Sequence, residues 1–331
     1  MNNKITVIGS GSMGTACAKV LHNNGHNVVV YGIDDNELND LKNGKNLKYF
    51  PETTKLPKFN VSNNLKEALD KTDYVLLAVP SKFMDKVFED VLANVNSNII
   101  FINVAKGFYP GTIVPLHSAI KEKTKDNPNV LGVVSLIGPS HAEEIVKDSI
   151  TVVDAVDSDI NKAKKVQELF SNSNFRVYTQ TDEIGAEIGS IYKNVLAIAS
   201  GILYGKNYGI NTRAALITRG LVEMRKYAEY NHGKLETLFG LTGIGDLIVT
   251  AFSEFSRNFS FGTLYAKEGK KALETKMTVE GLTALKTIHE NIIVKNIMEL
   301  PITEGLYKVI YEDYDIDKML KLLITRDLKS E

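Results

Sequence analysis

The chain has 331 residues, 44% of them hydrophobic, with 39 Lys plus Arg against 40 Asp plus Glu and a formal net charge of −1. That length supports about two domains with separate cores, and the balanced charge, with no basic block to track a phosphate backbone, excludes nucleic acid as a partner. Cys17 is the single cysteine, so an intramolecular disulfide and a thiolate metal cluster are ruled out, a reducing compartment is expected, and no metal is expected.

No apolar run approaches the roughly 20 residues that cross a bilayer, and the first residues read as a strand rather than a signal segment. A cytoplasmic protein with no integral membrane segment is therefore expected. Residues 4–8 are a short β-branched run, followed at once by Gly9-Ser10-Gly11-Ser12-Met13-Gly14 and a helical segment over 15–23. This is GxGxxG in the strand, turn, helix context that it needs. Gly9 permits the turn, Gly11 lets a pyrophosphate approach the backbone, Gly14 lets helix and strand pack, and the helix N-terminus faces the anion.

A second strand over 27–31 ends near Asp34, 20 residues beyond Gly14, where a carboxylate accepts from ribose hydroxyls and repels a 2′-phosphate. Ile33 beside it carries no charge, so NAD(P)H is the expected cofactor with a leaning towards NAD(H). The competing reading makes Asp34 and Asp35 the acidic start of the next helix, and Lys42 and Lys45 leave the preference open. Residues 43–60 read as an irregular excursion. A helix over 64–71 and a doubly buried strand over 74–79 follow, the latter ending at Pro80-Ser81, where open parallel sheets place ligands.

A helix over 82–93 leads to a strand over 99–104 that delivers Lys106, either a solvated loop residue or a cation for an anionic substrate. A further strand over 131–137 ends in Gly138-Pro139-Ser140-His141-Ala142, with Ser140 placed to cap a helix over 141–147. His141 is read as structural. Strand 150–155, helix 159–171 and strand 175–178 continue the alternation. After Asp182 helices dominate, over 182–204, 212–230, 278–290, 302–311 and 316–323. The expected fold is therefore α/β, an N-terminal Rossmann-type domain with a mainly parallel sheet over residues 1–180 and an all-α domain over 181–331. Such helical second domains often pair, which makes a homodimer the prior expectation.

The first of those helices carries a buried stripe, Ile184, Ile188, Ile191, Val195, Ile198 and Ile202. Beside it runs a line of small residues, Ala186, Gly189, Ser190, Ala197 and Ser200, around Lys193. Gly189 costs about 1 kcal/mol against alanine in a helix, which suggests close approach by another segment. The alternative is a surface lysine. Farther on, a glycine-spaced turn over 240–245 presents Asp246, and Ser256-Arg257-Asn258 follow. An Arg fork suits phosphate, although a structural Asp–Arg pair fits the spacing equally.

Across almost the whole chain, GSGSMG, LAVPS, AKG, GPSHAEE, YKNVLAIASG, NTRAALITRG, GLTGIGDLIVT, SRN and TVEG resemble the bacterial type of NAD(P)-dependent glycerol-3-phosphate dehydrogenase. The resemblance implies interconversion of dihydroxyacetone phosphate and sn-glycerol 3-phosphate, the glycerophospholipid backbone, with Lys193 as proton donor and acceptor and Asp246 orienting it or a substrate hydroxyl. By the same resemblance Lys106, Gly138, Ser140, Ser256, Arg257 and Asn258 bind substrate. Ser12, Met13, Ala142, Thr278 and Glu280 fall to the cofactor, shared with Lys106 and Arg257. Met13 stands where an aromatic is usual, Ile33 where a basic residue is common, Ala105 for a serine or threonine, and Ile210 for an aspartate. Ile210 is expected near the site. The rival readings are a β-hydroxyacid dehydrogenase and a non-catalytic dinucleotide sensor.

Overall fold

Short runs of β-branched and apolar residues become the strands of one sheet: β1 Lys4–Ile8, β2 Asn27–Tyr31, β3 Asn60–Ser62, β4 Tyr74–Leu77, β5 Ile99–Asn103, β6 Val130–Ile137, β7 Thr151–Val156 and β8 Phe175–Gln180. The structure, a computed structural model, describes residues 2–325. The strand order is β3-β2-β1-β4-β5-β6-β7-β8. All neighbours are parallel except β6 and β7, which run antiparallel. The order reverses between β1 and β4, the place where an open α/β sheet leaves a crevice at its carboxyl ends. Central strands such as β5 are buried at every position, as a sheet covered on both faces requires.

Several elements escaped the sequence pattern, helices Leu235–Leu238 and Asp246–Ala251 among them. β3 is a three-residue edge strand inside the stretch read as irregular. Helix Leu116–Thr124 fills the gap before β6, and helix Arg257–Glu268 opens at Ser256-Arg257-Asn258. Ser256 caps that helix, accepting from Phe259 N at 3.2 Å. One expected cap is corrected. The helix after β6 spans Ala142–Ile145 with His141 at its N-cap, and Ser140 Oγ instead donates to Gly138 O at 2.9 Å. Gly138, at φ +153°, takes a backbone conformation that favours glycine just before this turn.

Beyond β8 the described chain is helical. Helix Glu183–Gly205, 23 residues long, runs through the middle of this part, capped by Asp182 accepting from Gly185 N. Ile188, Ile191, Val195, Ile198 and Ile202 on it are all buried, each contributing roughly 1.5–3 kcal/mol by leaving water. Tyr192 on the same helix donates to the buried Glu223 at 3.0 Å, and Glu223 in turn accepts from Ile302 N at 2.6 Å and Thr303 N at 3.1 Å. A carboxylate this deep is held by satisfying its lone pairs with a helix N-terminus. The result fixes the rotation of the helix that carries Lys193. Among the described residues no helix is long and apolar enough to cross a membrane.

Candidate functional site

A cavity of about 1100 Å³ opens along the carboxyl ends of β1, β4 and β5 and continues to helix Glu183–Gly205. At its sheet end Gly9 has φ +118°, and a Cβ there would lie 2.7 Å from Ala78 O. A Cβ on Gly14 would lie 2.0 Å from Gly9 O, so the third glycine lets helix Ser12–Asn23 begin directly against the turn. Gly11 is different. A Cβ on it meets nothing nearer than Tyr49 at 3.8 Å, and no side chain caps the helix start that it forms. The amides at that start therefore face open space, a cradle that fits the pyrophosphate of a dinucleotide.

Farther along the same wall Asp34 does two things at once. Its Oδ1 caps the next helix, accepting from Asn36 N at 3.0 Å and Glu37 N at 3.3 Å, while Oδ2 lies 3.2 Å from Lys48 Nζ. Lys48 also holds Glu37 at 2.5 Å, and Lys48 first among other donors keeps Asp34 below the usual carboxylate range. Sequence reasoning weighed Lys42 and Lys45 here and passed over Lys48, whose approach depends on how residues 43–59 fold back. Ile33 is 89% exposed beside it.

At the other end of the cavity three charges meet. Asp246 Oδ1 accepts from Lys193 Nζ at 2.6 Å and Oδ2 from Lys106 Nζ at 2.9 Å, with Asp246 1% and Lys193 4% exposed. Thr250 Oγ1, one helical turn after Asp246, takes a second Lys193 proton at 2.8 Å and itself donates to Asp246 O. Thr250 was missed, although its i,i+4 spacing from Asp246 on helix Asp246–Ala251 was the available signal. The reading of Lys193 as a surface lysine is overturned. Close approach at Gly189 is real: a Cβ there would be 2.6 Å from Thr242 O in the turn that delivers Asp246.

Burial lowers Lys193 to about 7, against the attraction of Asp246 and with the repulsion of Lys106 adding to the fall. Burial also opposes ionisation of Asp246, but Lys106 and Lys193 outweigh it and hold that carboxyl below the ordinary range. The site therefore contains an ionised carboxylate and a lysine poised to gain or lose a proton near neutrality.

Around this group lie Ser140, Ser256, Arg257, Asn258 and Glu280 on the cavity wall, as do Gly9, Gly11, Ser12, Met13, Ile33, Asp34 and Lys106. Asn258 spans two helices, donating to Asn194 Oδ1 and accepting from Gly281 N, each at 2.9 Å. Burial raises the Glu280 carboxyl above its ordinary range even though Arg257, Lys106 and Lys193 pull the other way. Gly14, Gly138, Ala142 and Thr278 do not line the cavity. Gly138 meets it through its carbonyl, which is 3.4 Å from Lys106 Nζ. Ile210 is corrected. It starts helix Ile210–Tyr230, 63% exposed, and is absent from the cavity wall.

His141, also on the wall, points Nε2 at Val249 O at 3.2 Å and packs edge-on to Phe255. Burial lowers its pKa, and Lys193 and Lys106 add to this. It is a packed imidazole with a backbone partner.

A dinucleotide cradle joined to a buried lysine–carboxylate pair, on a Rossmann sheet with a helical second half, defines a two-domain nicotinamide-dependent dehydrogenase. Sequence models of NAD-dependent glycerol-3-phosphate dehydrogenase match this chain over residues 4–163 for the N-terminus and 182–321 for the C-terminus. Over 330 residues the chain is 51% identical to glycerol-3-phosphate dehydrogenase (NAD(P)+) of Mycoplasma mobile, covering 99% of this chain and 98% of that protein. The enzyme of that name from Acholeplasma laidlawii is 42% identical over 335 residues, with 99% of each covered. Among solved structures, glycerol-3-phosphate dehydrogenase from Coxiella burnetii superposes with a TM-score of 0.88 at 30% identity, covering 98% and 99% of the two chains. The chain belongs to the NAD-dependent glycerol-3-phosphate dehydrogenase family.

Proposed function

We propose that this chain interconverts dihydroxyacetone phosphate and sn-glycerol 3-phosphate, supplying the glycerophospholipid backbone, with Lys193 as the group that gives and takes the proton. The observation that carries the reading is the Lys193 ammonium, buried, bound to Asp246 at 2.6 Å and set on the wall of the cavity that begins at the glycine turn. Gly9, Gly11, Ser12 and Met13 would hold NAD(P)H, with Asp34 at the ribose end, and the bound cofactor would supply the hydride.

In the reducing direction the Lys193 ammonium protonates the C2 oxygen of the ketone, and in the oxidising direction neutral Lys193 removes the hydroxyl proton. Asp246 holds Nζ in place and balances the charge of Lys106. Donors remain for the phosphate: the Ser256 hydroxyl proton, the second Asn258 amide proton and the exposed Arg257 fork, whose planar geometry suits phosphate oxygens. Ser140, Lys106 and the Gly138 carbonyl complete the substrate end, and Glu280 the cofactor side. A cytoplasmic setting belongs to the same reading, supported by the unpaired, buried Cys17.

The test follows loss of the reduced-nicotinamide absorbance with dihydroxyacetone phosphate, run in parallel with NADH and NADPH. Rapid oxidation is expected with at least one cofactor. Folded protein inactive on the phosphate but active on a β-hydroxyacid, or binding cofactor without turnover, would overturn the assignment.

A further inference from the structure

A second cluster of ionisable groups lies at the other end of the Lys193 helix. His117 on helix Leu116–Thr124, Asp157 just after β7, and Glu183 in the first turn of helix Glu183–Gly205 offer one donor atom each, all within 4.8 Å of one another. His117 and Asp157 are 0% exposed. Two of their atoms, His117 Nε2 and Asp157 Oδ2, are buried without a hydrogen-bond partner. A buried polar atom left unpaired costs roughly 1–3 kcal/mol, so two of them facing one point call for a third partner.

The remaining atoms of each side chain are already fixed, which leaves those two aimed inward. His117 Nδ1 lies 3.0 Å from Ser135 Oγ, and with its proton directed there the Nε2 lone pair is free. Asp157 Oδ1 accepts from Asp159 N at 2.6 Å. Glu183 Oε1 accepts from Ser158 N at 2.6 Å and stands 3.3 Å from His117 Nε2. That separation matches the donor spacing of a tetrahedral ion with bonds of about 2.1 Å. The cation now beside these acids is Lys121, bonded to Glu183 and 3.9 Å from Asp157. Its side chain is 36% exposed and can withdraw to water.

We propose that His117, Asp157 and Glu183 form a divalent-cation site of the zinc type, with Lys121 as the ammonium that the ion displaces. One imidazole and two carboxylates are ligands that suit zinc, with water in the fourth position. The ion would join helix Leu116–Thr124 and the turn after β7 to the first turn of the Lys193 helix, one turn before Glu187, which already accepts from His117 N at 2.6 Å. Ten residues separate Glu183 from Lys193, about 15 Å along the helix, so the site does not share the cavity. This departs from the expectation that no metal is bound.

The experiment titrates Zn2+ into the chelator-stripped full chain by calorimetry, and Co2+ in parallel to read visible ligand-field absorption. Wild type is expected to bind one ion and to give tetrahedral cobalt bands. Asp157→Asn, nearly isosteric, should weaken binding by about 10–100-fold, and Lys121→Met should tighten it several-fold because the competing ammonium is gone. His117→Gln should abolish the cobalt bands, and if that variant fails to fold, the other two decide. No binding at millimolar ion, binding unchanged in Asp157→Asn, or Lys121→Met that is less stable without binding more tightly would each overturn the proposal.

Discussion

Replacing Asp246 by asparagine removes a carboxylate held between two lysines while keeping its shape. At 2.6 Å and an effective dielectric near 20, Coulomb's law gives roughly 6 kcal/mol for its attraction to Lys193, before desolvation is set against it. Burial already wins on Lys193, which stands at about 7 rather than 10.5. Without Asp246 the remaining influences, burial and the repulsion of Lys106, both push the pKa lower still. If a quarter of the attraction survives as a net effect, about 1.5 kcal/mol, the pKa falls by about one unit and the ammonium fraction at neutral pH drops about sevenfold. Ketone reduction needs the ammonium and is lost as pH rises through the Lys193 pKa, so in the variant that loss moves to lower pH. Alcohol oxidation needs the neutral amine, so its rise also moves to lower pH. Profiles of kcat/KM against pH in both directions measure this, with reduction at neutral pH expected to fall about sevenfold or more. Breaking a buried pair also costs about 3–5 kcal/mol, which a thermal melt should register. Limbs that coincide with those of the wild type would refute the coupling and leave Asp246 a purely structural acid.

Lys193→Ala should lower turnover by roughly 10²–10⁴-fold, the usual worth of a positioned acid, with cofactor affinity by fluorescence titration little changed; near-normal turnover would remove Lys193 from the mechanism. Gly14→Ala places a Cβ 2.0 Å from Gly9 O, an overpacking worth about 1–3 kcal/mol, and should raise the KM for cofactor and lower the melting temperature together. An unchanged KM would mean that the turn does not form the cradle. Lys48→Ala bares Asp34 and Glu37 and should raise the KM for NADPH by no more than about fivefold relative to NADH, since solvent screens so exposed a pair; equal changes for both cofactors would contradict a role in discrimination. Ile210→Asp should leave turnover within about twofold of wild type, as an exposed substitution off the cavity wall does, and a large change in the KM for dihydroxyacetone phosphate would show that this helix start reaches the substrate.

The glycine turn, the buried strands and the amphipathic helices were legible because each depends on residues adjacent in sequence. Gly9 to Gly14 is strand, turn and helix in one stretch, and Val75, Leu76 and Leu77 are buried in β4 because an apolar run between turn residues has few other places to go. Ile188, Ile191, Val195, Ile198 and Ile202 are buried along one helix as their spacing requires. Short elements were lost, since the three residues of β3 and the six of helix Asp246–Ala251 are too few to show a period.

The sequence by itself determined a Rossmann half, a helical half and a lysine among small residues. Tertiary structure decided what that lysine is. Asp246 and Thr250, 53 and 57 residues away, take two of its protons, and Lys106, 140 residues from Asp246, approaches from the end of β5. The same holds for Lys48 beside Asp34, for Ile210 on the surface, and for His117, Asp157 and Glu183 drawn together from three elements. Electrostatic energy depends on distance and burial, and neither is fixed for groups far apart in sequence until the chain has folded.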